Sequence, residues 1–390
     1  MSGARVGDVF AQALRLGATS FGGPIAHLGY FERTYVHRLR WLDGDEYASL
    51  VATCQVLPGP TSSQVGFLIG LRRAGWAGAF AAWLGFTAPS ALLMLAFAWT
   101  LPRFATSPAG VLHGLSLATV AVVAQAVASM AQRLSVGFAR RLIAIVAALA
   151  MLLHGGAAMQ FLVLAGGAAL GALACRDAAL PRGEAAMVAT PRAAIAAVLL
   201  ASLGGVVAIA SAMLAPHGAA AFVALFYRAG ALVFGGGHVV LPLLRDGLVP
   251  AWMGDDAFLS AYGFAQALPG PLFAIAAYLG AAASPPAGTP AMALLALCAL
   301  FLPGMLLAVA AHHLFARAVS FAPAAPALAG VNAAVVGLLA AALYDPVLTT
   351  AVHRPADAIV ALGAFALLAV ARVPPLVVVA ACVACAVLVP

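Results

Sequence analysis

Phe21-Gly22-Gly23-Pro24, Trp41 and Gln55-Val56-Leu57-Pro58-Gly59-Pro60 form a pattern that recurs later in the chain. The second copy is Phe234-Gly235-Gly236-Gly237, Trp252 and Gln266-Ala267-Leu268-Pro269-Gly270-Pro271. The offset is 213 residues at the glycines and 211 from the tryptophan onward, so one small deletion separates the copies. Arg15 and Arg228 match at the first offset. Packing alone is a poor reason to repeat a charged residue inside apolar sequence. Two related halves that meet around a polar site supply a better one.

The composition is that of an integral membrane protein. Hydrophobic residues make up 65% of the chain and charged residues 8%, and the mean hydropathy is +1.07. A soluble domain carries about 25% charged residues. The net charge of +7 comes entirely from arginine, since the chain has no lysine. These arginines fall mostly in short loops, where they read as a topology signal rather than a nucleic-acid surface. Residues 1–8 are polar and no short apolar run ends in a cleavage site, so no cleavable signal peptide is expected.

Apolar segments fall near 6–30, 46–71, 74–101, 110–132, 140–154, 157–175, 193–215, 220–243, 258–282, 290–317, 328–345, 356–371 and 373–389. The pairs 140–154/157–175 and 356–371/373–389 are short, each readable as two thin spans or one helical hairpin. A bilayer needs roughly 20 apolar residues per helix. The expected fold is an all-α integral membrane protein with 10–13 transmembrane helices in two inverted repeats with discontinuous helices. The polar stretch 176–192 marks the boundary. Residues 1–175 form the first repeat, 176–215 a linker plus connecting helix, and 216–390 the second repeat. The repeat extends to Phe86 and Pro89 against Phe301 and Pro303, and to Gly114 against Gly330. The segment 193–215 has no counterpart in the first half, and one extra span there, or an odd span count per half, inverts the second half.

Loops holding Arg72/Arg73, Arg133/Arg140/Arg141, Arg176/Arg182/Arg192, Arg245, Arg317 and Arg372 alternate with loops nearly free of basic residues. Placing the first set in the cytoplasm puts the N-terminus inside. The loop 31–46 runs against this with Arg33, Arg38 and Arg40, although Glu32, Asp43, Asp45 and Glu46 accompany them. Segment 6–30 therefore either spans or re-enters.

The two Pro-Gly-Pro sequences sit in the middle of segments long enough to span. Proline removes a backbone donor and glycine adds freedom, so each predicts a broken helix. The half-helix after Pro58, Gly59 and Pro60 starts with unpaired N–H groups and a positive dipole end, which favour an anion. Thr61, Ser62, Ser63 and Gln64 follow it, whereas Pro269, Gly270 and Pro271 lead into apolar Leu272, Phe273 and Ala274. The first half is thus expected to supply more of the ligand contacts. A kink that only improves packing is the alternative. The turns Phe21-Gly22-Gly23 and Phe234-Gly235-Gly236 admit close approach of a backbone or a ligand, or tight helix crossing. His238 follows the second and His27 lies near the first. Asp and Glu are absent from Tyr47 through Arg176, so a buried Arg15 or Arg228 has no acid partner in the first half. Such a guanidinium suits a tetrahedral oxyanion, unless it snorkels to headgroups. With Gln55 and Gln266, these residues make up the candidate substrate site.

Several chemistries lack a basis. There is no Walker-type glycine-rich lysine motif, no metal-spaced His/Cys/Asp cluster and no Ser/His/Asp arrangement, so neither a cofactor nor a metal is expected. Cys382 and Cys385 lie in an unbroken apolar run and read as small packing residues.

Phe21-Gly22-Gly23-Pro24, the Trp-Leu-Asp-x-x-Glu-Tyr run from Trp41 to Tyr47, Gln55-x-x-Pro58-Gly59-Pro60 and the pair Gly66/Gly70 together resemble the chromate ion transporter family. The duplication resembles its long-chain, two-domain members. The resemblance implies a bacterial inner-membrane secondary transporter that exports chromate and confers chromate resistance, not an enzyme. Sulfate, an isosteric dianion, is the natural competing ion. The second copy departs from the pattern at Gly237 and Leu272. Chromate or sulfate and membrane lipid are the expected partners, with no nucleic acid; a homodimer is compatible with the sequence. A sulfate or other oxyanion transporter or channel is the alternative, and a membrane-embedded enzyme acting on an anionic lipid headgroup a more distant one.

Overall fold

The structure is a computed structural model that describes residues 3–21, 23–55, 57–100, 110–154, 156–178, 191–214, 218–234, 239–283, 288–319 and 324–388. Every regular element among the described residues is helical. In chain order these are α1 (Gly3–Thr19), α2 (Gly23–Phe31), α3 (Gly44–Gln55), α4 (Thr61–Thr100), α5 (Gly110–Leu134), α6 (Phe138–His154), α7 (Gly156–Ala174) and α8 (Pro191–Leu214). They continue as α9 (Ala219–Leu232), α10 (Val240–Leu248), α11 (Asp255–Ala267), α12 (Ile275–Ala282), α13 (Pro290–Val319), α14 (Ala324–Ala342), the single turn α15 (Thr349–Ala351), α16 (Pro355–Ala369) and α17 (Pro375–Leu388). A π-helical turn, Glu32–Arg38, extends α2.

The helices begin where local chemistry dictates. Before α3, the Asp43 side chain accepts from the Glu46 N–H at 2.8 Å, and Glu46 accepts from the Asp43 N–H at 3.2 Å. This reciprocal box satisfies two donors that the first turn leaves free. Thr289 caps α13 by accepting from the Met292 N–H at 3.1 Å, with Pro290 as the first helical residue. Asp357 performs the same service for α16, accepting from the backbone of His353 and Arg354.

Five helices among the described residues are long and apolar enough to cross a membrane: Thr61–Thr100, His113–Leu134, Pro191–Ser211, Pro290–Ala311 and Ala325–Ala351. Shorter apolar helices cover Met159–Ala174, Ala219–Leu232, Leu272–Ala282, Pro355–Ala369 and Pro375–Leu388. The first of the long helices is not one rod. Ala74 and Gly75 leave helical geometry. The two arms fold back, so that Gly70 and Gly78 approach backbone to backbone and Phe67 meets the rings of Trp76 and Phe80.

The chain forms two compact units, and neither coincides with one sequence repeat. The first comprises Met1–Ala96, Leu180–Gly237 and Pro269–Ala322; the second comprises Phe97–Ala179, His238–Leu268 and Pro323–Pro390. Inside the second unit the repeats are interlaced. α5, from the first repeat, packs on the terminal hairpin α16/α17 of the second. α14, from the second, packs on the hairpin α6/α7 of the first. Gly114 on α5 lies against Cys382 and Val383 of α17, and its counterpart Gly330 lies against Gly167 and Gly171 of α7. Cys382 is a buried packing residue in this cluster and Cys385 is exposed.

In the first unit, α9 packs between α8 and α13. Its closest approach is Gly230 to the Leu300 carbonyl, matched in the first repeat by Gly17 on α1 against the Phe86 carbonyl. A methyl at either position overlaps a backbone oxygen, and overpacking of this kind costs about 1–3 kcal/mol. Gly17→Ala and Gly230→Ala are therefore each expected to reduce the yield of monodisperse protein in detergent several-fold. Gly205→Ala on α8, where nothing lies within 4 Å, leaves it unchanged. Fluorescence-detected size exclusion reads all three, and equal behaviour of the three variants would contradict the packing described.

Candidate functional site

Both Pro-Gly-Pro sequences interrupt helices as the sequence predicts. α3 ends at Gln55 and α4 starts at Thr61; α11 ends at Ala267, and after Pro269, Gly270 and Pro271 a 3-10 turn, Leu272–Ala274, leads into α12. The central glycines have φ of +119° at Gly59 and +93° at Gly270, a region that other residues rarely enter. Space excludes a side chain as well. A Cβ at Gly59 would lie 2.8 Å from both Gln64 Nε2 and the Gly304 Cα. At Gly270 it would lie 3.0 Å from Ser90 Oγ and 3.1 Å from the Gly17 carbonyl.

The amides of these glycines cross between the repeats. The Gly59 N–H donates to the Val233 carbonyl at 2.7 Å, and the Gly270 N–H donates to the Ser20 carbonyl at 2.9 Å. Ser20 and Val233 are themselves equivalent: each immediately precedes a Phe-Gly-Gly turn, and each ends the helix before it. A helix leaves its last carbonyls without partners. Here each repeat's broken helix supplies a donor to the other repeat's helix end.

The two half-helices that follow are chemically unlike. In the first, the ladder opens with Gln64 N–H to the Pro60 carbonyl at 2.9 Å. The N–H groups of Thr61, Ser62 and Ser63 precede that bond and have no acceptor within the helix. Ser63 is 2% exposed, and its hydroxyl has no partner among the described residues. Thr61 is half-buried. Gln64 is fully buried, and its amide nitrogen donates to the Pro58 carbonyl at 2.8 Å and the Gly304 carbonyl at 2.9 Å. It thus ties the break to α13 just after Pro303, while its own oxygen has no partner among the described residues. In the second copy the start is a 3-10 turn closed by Ala274 N–H to the Pro271 carbonyl at 3.0 Å. Phe273 is buried there against Phe301, with ring centroids 5.4 Å apart, and Phe301 meets Trp83 edge-on. Among the described residues, one helix start has first-turn N–H groups and the Ser63 hydroxyl without partners, and the other is packed by aromatic rings.

The matched arginines also differ. Arg15 is exposed on α1. Arg228 is half-buried on α9, whose end receives the Gly59 amide, and its buried Nε has no partner among the described residues. Gln55 is exposed, whereas Gln266 is half-buried and bonded to the Tyr262 hydroxyl. Phe21, Gly23 and Phe234 are half-buried beside the bonded carbonyls. Gly22, Gly235, Gly236 and His238 lie outside the described residues.

Sequence reasoning paired the Pro-Gly-Pro and Phe-Gly-Gly elements but missed that they pair crosswise. It also left out Ser20, Gln64 and Gly304 as bonding partners and gave His27 only a passing place. His27 is 1% exposed and bridges Ser62 Oγ and the Ser20 carbonyl, each at 3.2 Å. Its Nε2 must donate to the carbonyl, which only accepts, so in the neutral ring Nδ1 accepts from Ser62.

A multi-pass helical membrane protein made of two repeats, with paired broken helices tied across them, belongs to the class of repeat-built membrane transporters. The family model for chromate transporters matches residues 7–172 and 220–387, and the chain belongs to that family. The chromate transport protein of Pseudomonas aeruginosa is 29% identical over 355 residues, covering 89% of this chain and 82% of that one. That of Cupriavidus metallidurans is 30% identical over 336 residues, covering 85% and 80%. No solved structure matches the chain.

An orphaned buried backbone or side-chain polar group costs about 1–3 kcal/mol. Gln64→Leu removes the side-chain donor from two buried carbonyls, Pro58 and Gly304, and is expected to lower the thermal unfolding midpoint in detergent clearly. Gln55→Leu, at an exposed position within the repeated sequence itself, leaves the midpoint close to the parent's. A larger loss from Gln55→Leu than from Gln64→Leu would overturn the hydrogen-bond account.

Proposed function

We propose that the protein exports chromate from the cytoplasm across the bacterial inner membrane, with the dianion bound at the start of α4. The observation that carries this reading is the pair of unlike half-helix starts. Among the described residues, the N–H groups of Thr61, Ser62 and Ser63 have no acceptor and the buried Ser63 hydroxyl no partner, while the equivalent turn in the second repeat is packed with Phe273. The positive end of a helix favours an anion. Arg228 adds a fixed charge whose buried Nε has no partner among the described residues, and its planar fork fits two oxygens of a tetrahedral ion. Arg15 and the other described motif residues line the approach or hold the two breaks in place. The names of the relatives support chromate as the anion.

In this reading the chain is a duplicated module, 1–175 and 216–390, joined by 176–215, whose halves have opposite orientation. The binding site then opens alternately to each face as one part rocks against another. Sulfate competes for the same site, because charge and oxygen geometry are what the site reads.

A neutral hydrogen bond contributes about 0.5–1.5 kcal/mol and one to a charged group about 1.5–3 kcal/mol. Thr61→Val with Ser63→Ala is therefore expected to weaken chromate binding roughly tenfold or more, at about 1.4 kcal/mol per factor of ten. Leu272→Ala changes yield more than affinity. Binding titrations on monodisperse variants decide this; parent-like affinity in the double variant together with weakened binding in Leu272→Ala would move the site to the other repeat. Chromate uptake by proteoliposomes falls progressively as sulfate is added, and insensitivity to a large sulfate excess would remove the shared site.

A further inference from the structure

His27 sits between the two chemistries that meet at the break. Its Nε2 donates to the Ser20 carbonyl, which also accepts the Gly270 amide from the other repeat. Its Nδ1 faces Ser62 Oγ on the second residue of the half-helix. The ring packs edge-on against Phe86, centroids 5.3 Å apart. Among the described residues its recorded partners include no carboxylate and no guanidinium. The titratable groups on neighbouring elements have other roles. The Tyr47 hydroxyl donates to the Leu28 carbonyl at 2.6 Å, Glu46 pairs with Arg72, Cys54 is buried, Arg15 is exposed, and Arg228 is half-buried on α9.

Hydrogen-bond accounting then gives Ser62 two states. A hydroxyl has one proton. With a neutral ring, that proton is held by Nδ1, and Ser62 has none to give an anion. With a protonated ring, both nitrogens donate, Ser62 accepts from Nδ1–H, and its own O–H is free to turn outward. A dianion placed beside an imidazole favours the charged form of the ring.

We propose that His27 is a positioning residue that takes up a proton as the anion binds and, through Ser62, releases a hydroxyl donor to that anion. The proposal rests on placing the anion at the start of α4. It makes anion affinity rise as pH falls, because the occupied form holds one more proton than the empty one. No bond other than the N–H of the imidazolium forms, and the proton comes from solvent. Imidazole is the side chain suited to such an exchange near neutral pH.

The test is chromate binding to the full-length detergent-purified protein and to His27→Gln between about pH 8 and about pH 5.5. Taking the ratio of the two constants at each pH cancels the protonation of chromate itself. The parent is expected to gain roughly tenfold over the variant toward the acid end, the worth of one hydrogen bond to a charged group. Ser62→Ala, with His27 intact, is expected to lose most of that gain, and it stands in for His27→Gln should the latter not be monodisperse. A ratio that stays flat with pH, or a full pH response in Ser62→Ala, overturns the proposal while chromate binding itself persists. Absence of chromate binding by the parent at every pH overturns instead the substrate reading beneath it.

Discussion

Two peptide hydrogen bonds, Gly59 N–H to Val233 and Gly270 N–H to Ser20, set the arrangement on which the rest depends. A helix that ends inside a membrane protein has carbonyls that water does not reach, and each unsatisfied group is expensive there. The chain resolves this by making one defect serve another. Proline breaks a helix and frees the geometry around the next glycine; that glycine's amide then closes the end of a helix from the other repeat. Gly59 must hold a positive φ and leave room for Gln64 and Gly304, and Gly270 must do the same beside Ser90 and Gly17. Each of the two bonds takes its donor from one repeat's broken helix and its acceptor from the other repeat's helix end.

The same exchange governs the second unit. α5 covers its apolar face with α16 and α17, and α14 covers its own with α6 and α7. Neither repeat buries its long helix with its own hairpin, so the compact units gather segments from both halves of the chain. Small residues at the crossings, Gly114 of α5 against α17 and Gly330 of α14 against α7, let backbones approach where dispersion rather than the hydrophobic effect provides the attraction. An interlaced duplication of this kind keeps pseudo-equivalent positions while allowing them to diverge. The first helix start carries Thr61, Ser62 and Ser63, and the second carries Leu272 and Phe273.

Much of this was legible in the sequence. The apolar segments locate the helices closely, and α1, α3 and α11 end at Thr19, Gln55 and Ala267, beside the glycine and proline clusters, because those residues act locally through φ and the missing donor. The turn at Ala74 and Gly75 falls where the sequence separates two segments. What periodicity does not carry is pairing. Nothing local distinguishes a Pro-Gly-Pro that bonds its own repeat from one that bonds the other, since Gly59 and Val233 lie far apart in the chain. Burial was equally hidden: Arg15 and Arg228 look alike in sequence, yet of the two it is Arg228 whose buried Nε has no partner among the described residues. The bonds of Gln64 and His27 were hidden in the same way, because their partners, the Pro58, Gly304 and Ser20 carbonyls, carry no side-chain signature.

The central claim is that the anion lies at the start of α4. Crystals of the protein soaked with chromate, measured at the chromium absorption edge, locate the metal atom by its anomalous signal. The account predicts a peak whose oxygens reach the amides of Thr61, Ser62 and Ser63. A peak at Leu272 and the second Pro-Gly-Pro turn, with the first turn empty, would contradict it.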